Sequence, residues 1–185
     1  MAKNRTRVLG VTLIELLVTI SVVGLLSAIA VPSFTSLIKN GRLATETNDL
    51  MVDLAFARAE AARRGKRVTL CVSSDSVACS TGAAWAGGRI VFSDSGAYGT
   101  VDSGDEVLRA NKSVTAKNVT ISATGFTVST TSTLNYIQFK PNGAVNSETN
   151  GFFTICDDRS GNFGRKLEVF TTGRTSLTST AEICP

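Results

Sequence analysis

The sequence predicts an α+β fold in which one long N-terminal helix packs on antiparallel β-sheets. Two observations support this. Residues 11–64 form an apolar run followed by a helix-like apolar face, and the remaining residues form short β-like runs separated by Gly, Asn and Ser. A helical pattern followed by successive strand patterns is typical of α+β proteins. The length of 185 residues suits one domain with an extension.

Composition excludes several classes of function. The net charge is +4, but Lys3, Arg5 and Arg7 account for three of those charges, and the chain after residue 10 has 16 basic against 15 acidic side chains. This balance gives no support for strong nucleic-acid binding. The absence of histidine excludes Ser–His–Asp and Cys–His catalysis and any imidazole metal site. No acid–base pair stands out, so we expect neither an enzyme nor a cofactor.

A membrane span is predicted near the N-terminus. No charged residue occurs in the 23 residues from Leu16 to Ile38, and a bilayer core needs roughly 20 helical residues. Lys3, Arg5 and Arg7 precede the run and predict a cytoplasmic N-terminus. The rest of the chain then lies in the oxidising compartment, where disulfides form.

A cleaved secretory signal is the alternative interpretation. The segment has the basic and apolar regions of such a signal. However, Glu15 interrupts the apolar run, the run is too long, and Ser27-Ala28-Ile29-Ala30 is the nearest approach to a cleavage site.

Glu15 requires a partner. An unpaired charge near the bilayer core costs about 2.5–3.5 kcal/mol on insertion scales. Cleavage after Gly10 would create a free amine at Val11, and the amine of a neighbouring subunit could neutralise Glu15 inside an assembled bundle. The alternative is that Glu15 extends to the interface alone.

The next segment is predicted to continue the same helix from about Thr12 to Arg64. Pro32 predicts a kink, or alternatively an end of the membrane helix at Val31. Mostly apolar residues recur at three- and four-residue steps and so share one face of the helix: Leu43, Thr47, Leu50, Leu54, Ala57 and Ala61. The other faces of the helix carry charged residues: Glu46, Asp49, Asp53, Arg58 and Glu60. Gly65 suits the position after a helix end. The cluster Arg63-Arg64-Lys66-Arg67 either compensates the helix dipole or binds an anion.

The remaining residues predict eight strands and one clear turn. The turn is Pro141-Asn142-Gly143. The strands are Val68–Val72, Arg89–Phe92, Glu106–Arg109, Val119–Ile121, Thr127–Ser129, Tyr136–Phe139, Gly151–Cys156 and Lys166–Phe170. Trp85, the single tryptophan, is expected to pack in the core or under a loop.

The four cysteines indicate two disulfides. No CxxC pair is present, so a zinc site is not expected. Three pairings are possible. We favour Cys71–Cys79, which brackets a Ser-rich loop, and Cys156–Cys184, which would tie down the C-terminal tail and stabilise by roughly 3 kcal/mol in the chain-entropy model.

Two sets of motifs resemble a known family. Gly10-Val11-Thr12-Leu13-Ile14-Glu15 resembles the class III signal of type IV prepilins and type II secretion pseudopilins. The resemblance implies that prepilin peptidase cleaves after Gly10 and methylates the new N-terminus at Val11, which stands where the family usually has phenylalanine. It also implies that Glu15 helps to set the register of subunits in the filament. It also implies local melting near Pro32.

The later motifs resemble the GspH and FimT/FimU branch. They are Ala57–Ala61, Val68–Cys71, Gly88–Phe92 after Trp85, Ile137–Gly143 and Thr172-Gly173-Arg174. The resemblance implies a long helix on two antiparallel sheets.

Two further binding hypotheses arise from charged residues. Asp94, Asp102, Asp105 and Glu106 could bind calcium, although their spacing matches no EF-hand loop. Arg165, Lys166 and Arg174 suggest DNA contact, because FimT proteins carry a Gly-Arg-x-Arg motif. Here Gly173-Arg174-Thr175-Ser176 lacks the second arginine, and residues 140–185 hold five basic and five acidic side chains, so we expect neither calcium nor strong DNA binding.

We therefore expect a structural minor pilin of the FimT/FimU kind, at or near the tip of a type IV pilus. The alternatives are a GspH-like secretion pseudopilin and a DNA-binding minor pilin. The expected segments are a leader (1–10), a membrane and polymerisation helix (11–38), an amphipathic helix (39–65) and a β-rich head (66–185). Before assembly the helix spans the inner membrane with the head in the periplasm. Expected partners are major and minor pilins, prepilin peptidase and the inner-membrane assembly platform.

Overall fold

A computed structural model describes residues 10–82, 84–112, 118–128, 131–132, 135–178 and 180–185. Within these residues the chain forms one long helix, eleven strands and a single 3-10 turn at Trp85–Gly87. The chain divides into two compact units between Lys39 and Asn40. The second unit, Asn40–Pro185, contains all the strands and is called the head below.

The helix α1 extends over Leu13–Arg64 without interruption, and Pro32 lies inside it. The alternative that the helix ends at Val31 is therefore wrong. The residues after Pro32 are still helical, although proline lacks the N–H group that would donate one backbone hydrogen bond. The kink at Pro32 stays a prediction. Arg63 and Arg64 occupy the last turn, and Gly65 follows with φ +63°. Cations favour a helix C-terminus, and glycine adopts this left-handed conformation without penalty, so both residue types favour the end that is observed.

The strands form two larger antiparallel sheets and one hairpin. The first sheet has the order β3-β2-β1-β7, the second has the order β10-β9-β8-β4 with β11 also paired to β9, and β5 pairs with β6. The bounds are β1 Val68–Val72, β2 Arg89–Ser93, β3 Val107–Asn111, β4 Thr120–Thr124, β5 Thr127–Val128, β6 Thr131–Ser132, β7 Tyr136–Phe139, β8 Gly151–Cys156, β9 Gly161–Val169, β10 Thr175–Leu177 and β11 Glu182–Cys184.

The core lies between the head part of α1 and both sheets. The six face residues predicted from the sequence are all buried, and Leu50, Leu54, Ala57 and Ala61 belong to one cluster with residues of both sheets. Trp85 is also buried, and its ring lies edge-on to Phe153 at 4.9 Å between centroids. The predicted α+β fold, with one helix on two antiparallel sheets, is confirmed.

Three strands were not predicted, and the bounds of others differ. β6, β10 and β11 have two or three residues each, too short for a period-two pattern to be recognised. β9 begins five residues before the predicted Lys166, β3 begins after Glu106, and β4 extends to Thr124. The predicted end of one strand at Ser129 lies outside the described residues.

Two disulfides connect Cys71 with Cys79 and Cys156 with Cys184. These are the two pairs favoured from the sequence. The first closes the loop after β1. The second ties β11, at the end of the chain, to the end of β8. Its sulfurs lie against Gly164 on the strand β9, where a Cβ would be 2.7 Å from Cys184 Sγ and 3.1 Å from Cys156 Sγ.

Replacing Gly164 with alanine should destabilise the head by about 1–3 kcal/mol, because an added methyl in a closely packed site forces neighbouring atoms to shift. The measurement is urea unfolding of the full chain in detergent, followed by the fluorescence of Trp85, which reports on the head alone. Gly87→Ala is the matched control, since its Cβ would meet nothing within 4 Å. Equal stability of both variants would show that the disulfide does not lie over Gly164.

Candidate functional site

The predicted cleavage site lies immediately before the helix. Gly10, Val11 and Thr12 are exposed and outside α1, which begins at Leu13. An exposed peptide bond outside a helix is the form that a peptidase can reach, whereas a bond inside a helix is held by hydrogen bonds. Cleavage after Gly10 and methylation of Val11 stay predictions.

Thr12 caps the start of the helix. Its Oγ1 accepts a hydrogen bond from the N–H of Glu15 at 3.3 Å, and its carbonyl accepts one from the N–H of Leu16 at 3.1 Å. The sequence Thr12-x-x-Glu15 is the capping-box pattern, a local signal from which the helix start could have been predicted. The helix start is therefore specified by residues that remain after a cut at Gly10.

Glu15 is the one acidic residue in the first turn of α1, and it is exposed. A carboxylate near a helix N-terminus gains about 0.3–1 kcal/mol from the helix dipole. That gain is smaller than the roughly 2.5–3.5 kcal/mol that a charge costs in a bilayer core. The helix dipole alone therefore does not offset the cost of a charged Glu15 in a bilayer core, and the pairing of Glu15 with an amine of another subunit stays a prediction.

The segment from Val11 to Ile38 presents apolar side chains on every side. The exposed fraction of its large apolar side chains ranges from 42% for Ile38 to 76% for Leu13. Among the described residues, α1 is the one helix long and apolar enough to cross a membrane. Such a surface needs lipid or other protein to cover it.

Three hydroxyl groups of this segment are satisfied within the helix. Thr19 Oγ1, Ser21 Oγ and Thr35 Oγ1 each donate to a backbone carbonyl three or four residues earlier, at 2.8 Å in all three cases. An unsatisfied hydroxyl in lipid or in a packed helix bundle is costly. These residues therefore do not require polar partners on a neighbouring helix.

Three of the four basic residues in the cluster at the end of α1, Arg63, Arg64 and Arg67, are engaged within the head. Arg63 and Arg64 pair with Glu60 at 2.6 and 2.8 Å, and Arg64 also pairs with Glu106 at 2.7 Å. Arg67 donates to the carbonyls of Ser95 and Gly96 and lies 4.5 Å from the ring centroid of Tyr98. These contacts favour a structural role over anion binding.

The ion pairs of Glu60 with Arg63 and Arg64 should make the stability of the head fall at acidic pH. Hydrogen bonds from Arg63 and then Arg64 lower the pKa of Glu60 from 4.5 to about 2. A lowered pKa in the folded state adds stability above pH 4.5, and this contribution disappears as the pH falls to about 2. Glu60→Gln should therefore be less stable than wild type at pH 7 and equally stable near pH 2.

The urea midpoint of Trp85 fluorescence between pH 7 and pH 2 measures this effect. Asp49→Asn is the control, because no ion pair to Asp49 occurs among the described residues. A constant difference between wild type and Glu60→Gln over this range would contradict the assignment.

Asp53 and Arg89 form a buried ion pair that the sequence analysis missed. Asp53 was placed on the polar side of the helix, but both side chains are 1% exposed, and Arg89 Nε donates to Asp53 Oδ2 at 3.0 Å. Asn111 also donates to Oδ2, and Arg109 Nε lies 3.1 Å from Oδ1. The partners lie 36 or more residues away in sequence, so no local pattern indicates them.

The acidic loop residues act as hydrogen-bond acceptors inside the head. Buried Asp94 accepts from Thr69 Oγ1, Gln138 Nε2 and the N–H of Gly99 at 2.7–3.0 Å. Asp102 and Asp105 accept backbone N–H groups of their own loop, and Glu106 pairs with Arg64. Within the part of the chain that the structure describes, no group of three or more metal-ligating side chains occurs. The carboxylates thus shape the loop, and their arrangement does not support calcium.

The three basic residues considered for DNA contact do not form one patch. Arg165 and Lys166 are neighbours on β9, so their side chains leave opposite faces of the sheet. Lys166 Nζ lies 3.5 Å from Glu182 and 4.9 Å from the ring centroid of Phe152. Arg174 is exposed beside Phe170 after the turn. This arrangement offers no continuous track for a phosphate backbone.

Three of the motifs that resemble the family meet in space. Gly143 and Gly173 each end a turn with positive φ, and a Cβ on Gly173 would overlap the carbonyl oxygen of Gly143. Arg58 of the helix lies against both glycines. The sequence Ala57–Ala61, the Pro141-Asn142-Gly143 turn and Thr172-Gly173-Arg174 therefore share a packing role.

Two family models match the chain. The model described as Type II transport protein GspH matches residues 46–173, and the prokaryotic N-terminal methylation motif matches residues 5–31. Among curated proteins, none matches the chain at a significant level.

Solved structures show the same fold. Two crystal forms of the type IV minor pilin FimU of Pseudomonas aeruginosa PAO1 are similar, with TM-scores of 0.60 and 0.56 and sequence identities of 20% and 21%. They cover 80% and 77% of this chain and 99% of the FimU chain in each case. The GspH model covers more than half of the chain, so the protein belongs to the GspH family and has a pilin fold.

Proposed function

We propose that this chain is a minor pilin of a type IV pilus that enters the filament through the helix segment 11–38. The main support is the exposed Gly10–Val11 bond directly before a capped helix, whose first turn carries Glu15 and which has no charged residue from Leu16 to Ile38. The match to the methylation motif and the FimU-like fold of the head agree with this proposal. The chain is a structural subunit in this proposal and catalyses no reaction.

Assembly follows from the chemistry of the segment. Before cleavage, the basic leader holds the N-terminus on the cytoplasmic side and the helix spans the inner membrane, with the head in the periplasm. Cleavage by prepilin peptidase releases the leader and leaves a positive amine at Val11. The helix can then leave the lipid for a bundle of pilin helices, where Glu15 lies against the amine of a neighbouring major or minor pilin.

We place the subunit at or near the tip, where it contributes to the start of assembly on the inner-membrane platform. The two disulfides and the ion pairs of Glu60 and Glu106 with arginines brace the head, which would give it a stable surface for contacts with other minor pilins.

The test is recovery of the chain in filaments sheared from the cell surface. The chain should appear there in cells with active prepilin peptidase and be missing when the peptidase is deleted, with the uncleaved form remaining in the inner membrane. A chain that stays in the membrane fraction of peptidase-positive, piliated cells would refute the proposal.

A secretion pseudopilin is the second candidate, and the description of the matching family model favours it. The processing site and the helix would work in the same way in a periplasmic pseudopilus. Affinity purification from membranes decides between the two, since a minor pilin should co-purify with pilus subunits and a pseudopilin with secretion components.

A further inference from the structure

A pocket that plays no part in the proposed function lies beside the first disulfide of the head. Its volume is about 450 Å³. The disulfide from Cys79 to Cys71 ties one of its walls to β1. A cavity of about 150 Å³ accommodates a benzene ring, so this pocket has room for a ligand of one or two six-membered rings. We call it the Tyr98 pocket, and its walls include Cys79, Thr81, Tyr98, Thr100, Asn135 and Tyr136.

The two tyrosine rings of the pocket are held in place by the surrounding chain. The guanidinium of Arg67 lies 4.5 Å from the centroid of the Tyr98 ring, and Arg67 in turn donates to backbone carbonyls of the loop after β2. The Tyr136 ring lies against the backbone of Gly99, where a Cβ would overlap the ring. Rings that are already fixed lose little conformational entropy when a ligand packs on them.

Both tyrosines still offer surface to a ligand. Tyr98 is 49% exposed, so Arg67 leaves part of its ring open. Tyr136 is half-buried, and its phenol has no hydrogen-bond partner among the residues that the structure describes. Burial, and next the carboxylate of Asp94, raises the pKa of Tyr136, so the phenol stays protonated and can donate. A half-buried hydroxyl without a partner is a group that a polar ligand can satisfy.

The walls of the pocket are polar but uncharged. None of the described residues that line the Tyr98 pocket has a charged side chain. Thr81, Thr100 and Asn135 supply hydroxyl and amide groups, which both donate and accept hydrogen bonds. A charged ligand would lose its hydration here without gaining an opposite charge, whereas a ligand with many hydroxyl groups would find matching partners.

We propose that the Tyr98 pocket binds a neutral saccharide. A pyranose ring has a face of C–H groups that packs on an aromatic ring, and hydroxyl groups that pair with other hydroxyls and with amides. The pocket offers both kinds of partner, since the rings of Tyr98 and Tyr136 stand beside the polar groups of Thr81, Thr100 and Asn135. This binding goes beyond the proposed function, because incorporation through residues 11–38 does not involve the pocket.

Binding of the purified full-length chain to immobilised glycans tests the proposal. The chain is kept in lauryldimethylamine oxide, a detergent without a sugar headgroup. Glycans that end in glucose, galactose, mannose or N-acetylglucosamine are the neutral probes, and glycans that end in sialic acid or glucuronic acid are the acidic probes. The chain should bind a neutral probe more tightly than any acidic one. Absence of binding to all the neutral probes, or a preference for the acidic ones, would overturn the inference.

Substitution tests whether the saccharide occupies this pocket. Tyr98→Ala should weaken binding roughly 10-fold or more, because the stacking surface is lost, whereas Tyr98→Phe keeps the ring and should weaken it much less. Phe163→Ala is the matched control, because Phe163 is a similarly exposed ring beside an arginine, Arg159, and lies outside the pocket. If Tyr98→Ala alters the fluorescence of Trp85, Tyr136→Phe, which removes only the phenol oxygen, should weaken binding roughly 5-fold.

Equal binding by the wild-type chain and by both pocket variants, Tyr98→Ala and Tyr136→Phe, would contradict the inference. Tyr98→Ala should also remain in sheared filaments at the wild-type level. Its loss from filaments, in the absence of glycan binding by the wild-type chain, would assign the pocket to a protein partner instead. The glycan measurement uses purified chain, so its failure leaves the proposed function intact, and absence of the wild-type chain from filaments would refute the proposed function alone.

Discussion

Replacing Glu15 with alanine should remove the chain from filaments without impairing its membrane insertion or the fold of its head. Truncating one partner of a desolvated charge pair costs about 2–5 kcal/mol, which corresponds to a drop in incorporation of roughly 30-fold or more. Insertion should improve, because the membrane segment loses its carboxylate. The capped helix start should persist, because Thr12 accepts the backbone N–H of residue 15, which alanine retains.

The amount of chain in sheared filaments, relative to the amount in the inner membrane, measures this effect. Glu15→Gln separates charge from size, and we expect it to behave like Glu15→Ala. Asp49→Asn is the matched control, because it removes a carboxylate from the head part of the same helix. Equal incorporation of wild type and Glu15→Gln would show that the charge of Glu15 has no role in assembly.

Breaking the ion pair between Asp53 and Arg89 should destabilise the head by about 3–5 kcal/mol, because the remaining charge stays buried without its partner. The two single variants should differ. Asp53→Ala leaves the Arg89 guanidinium with the carbonyl of Trp85, which is 3.0 Å away. Arg89→Met leaves the Asp53 carboxylate with Asn111 and with Arg109. We therefore expect Asp53→Ala to be the more destabilising change.

Urea unfolding of the full chain, followed by Trp85 fluorescence, gives the free energy of unfolding of each variant. Arg63→Met is the control, because its guanidinium is 65% exposed and exposed pairs contribute about 0–1 kcal/mol. The double variant Asp53→Leu/Arg89→Met should be more stable than the sum of the single effects predicts, since no buried charge remains unpaired. Losses below 1 kcal/mol for both single variants would show that the pair is not buried in solution.

Much of the fold could be predicted because it depends on local pattern. The helix face from Leu43 to Ala61 repeats at helical spacing, and five of the predicted strands overlap observed strands closely, for example β1 and β8. The processing signal in the Gly10–Glu15 segment could also be predicted from residue types and their spacing. The partner proposed for Glu15 is the amine of another subunit, so a single chain would carry only half of that site.

The features that were missed depend on contacts distant in sequence. Asp53 is typical of a solvent-facing helix position, and only its packing against β2 and β3 buries it. The short strands β10 and β11 exist because they pair with the other edge of β9, which no local pattern indicates. In the same way, the need for glycine at position 164 follows from a disulfide whose second cysteine is 28 residues from the first.

Mass spectrometry of the intact chain from sheared filaments tests the central claim most directly. The claim is that a new amine at Val11 accompanies Glu15 in the assembled helix bundle. The predicted result is a chain that begins at methylated Val11 and carries both disulfides. A filament chain that retains its first ten residues, or one released by a cut near Ala30, would contradict the account, since Glu15 would then lack the amine or be absent altogether.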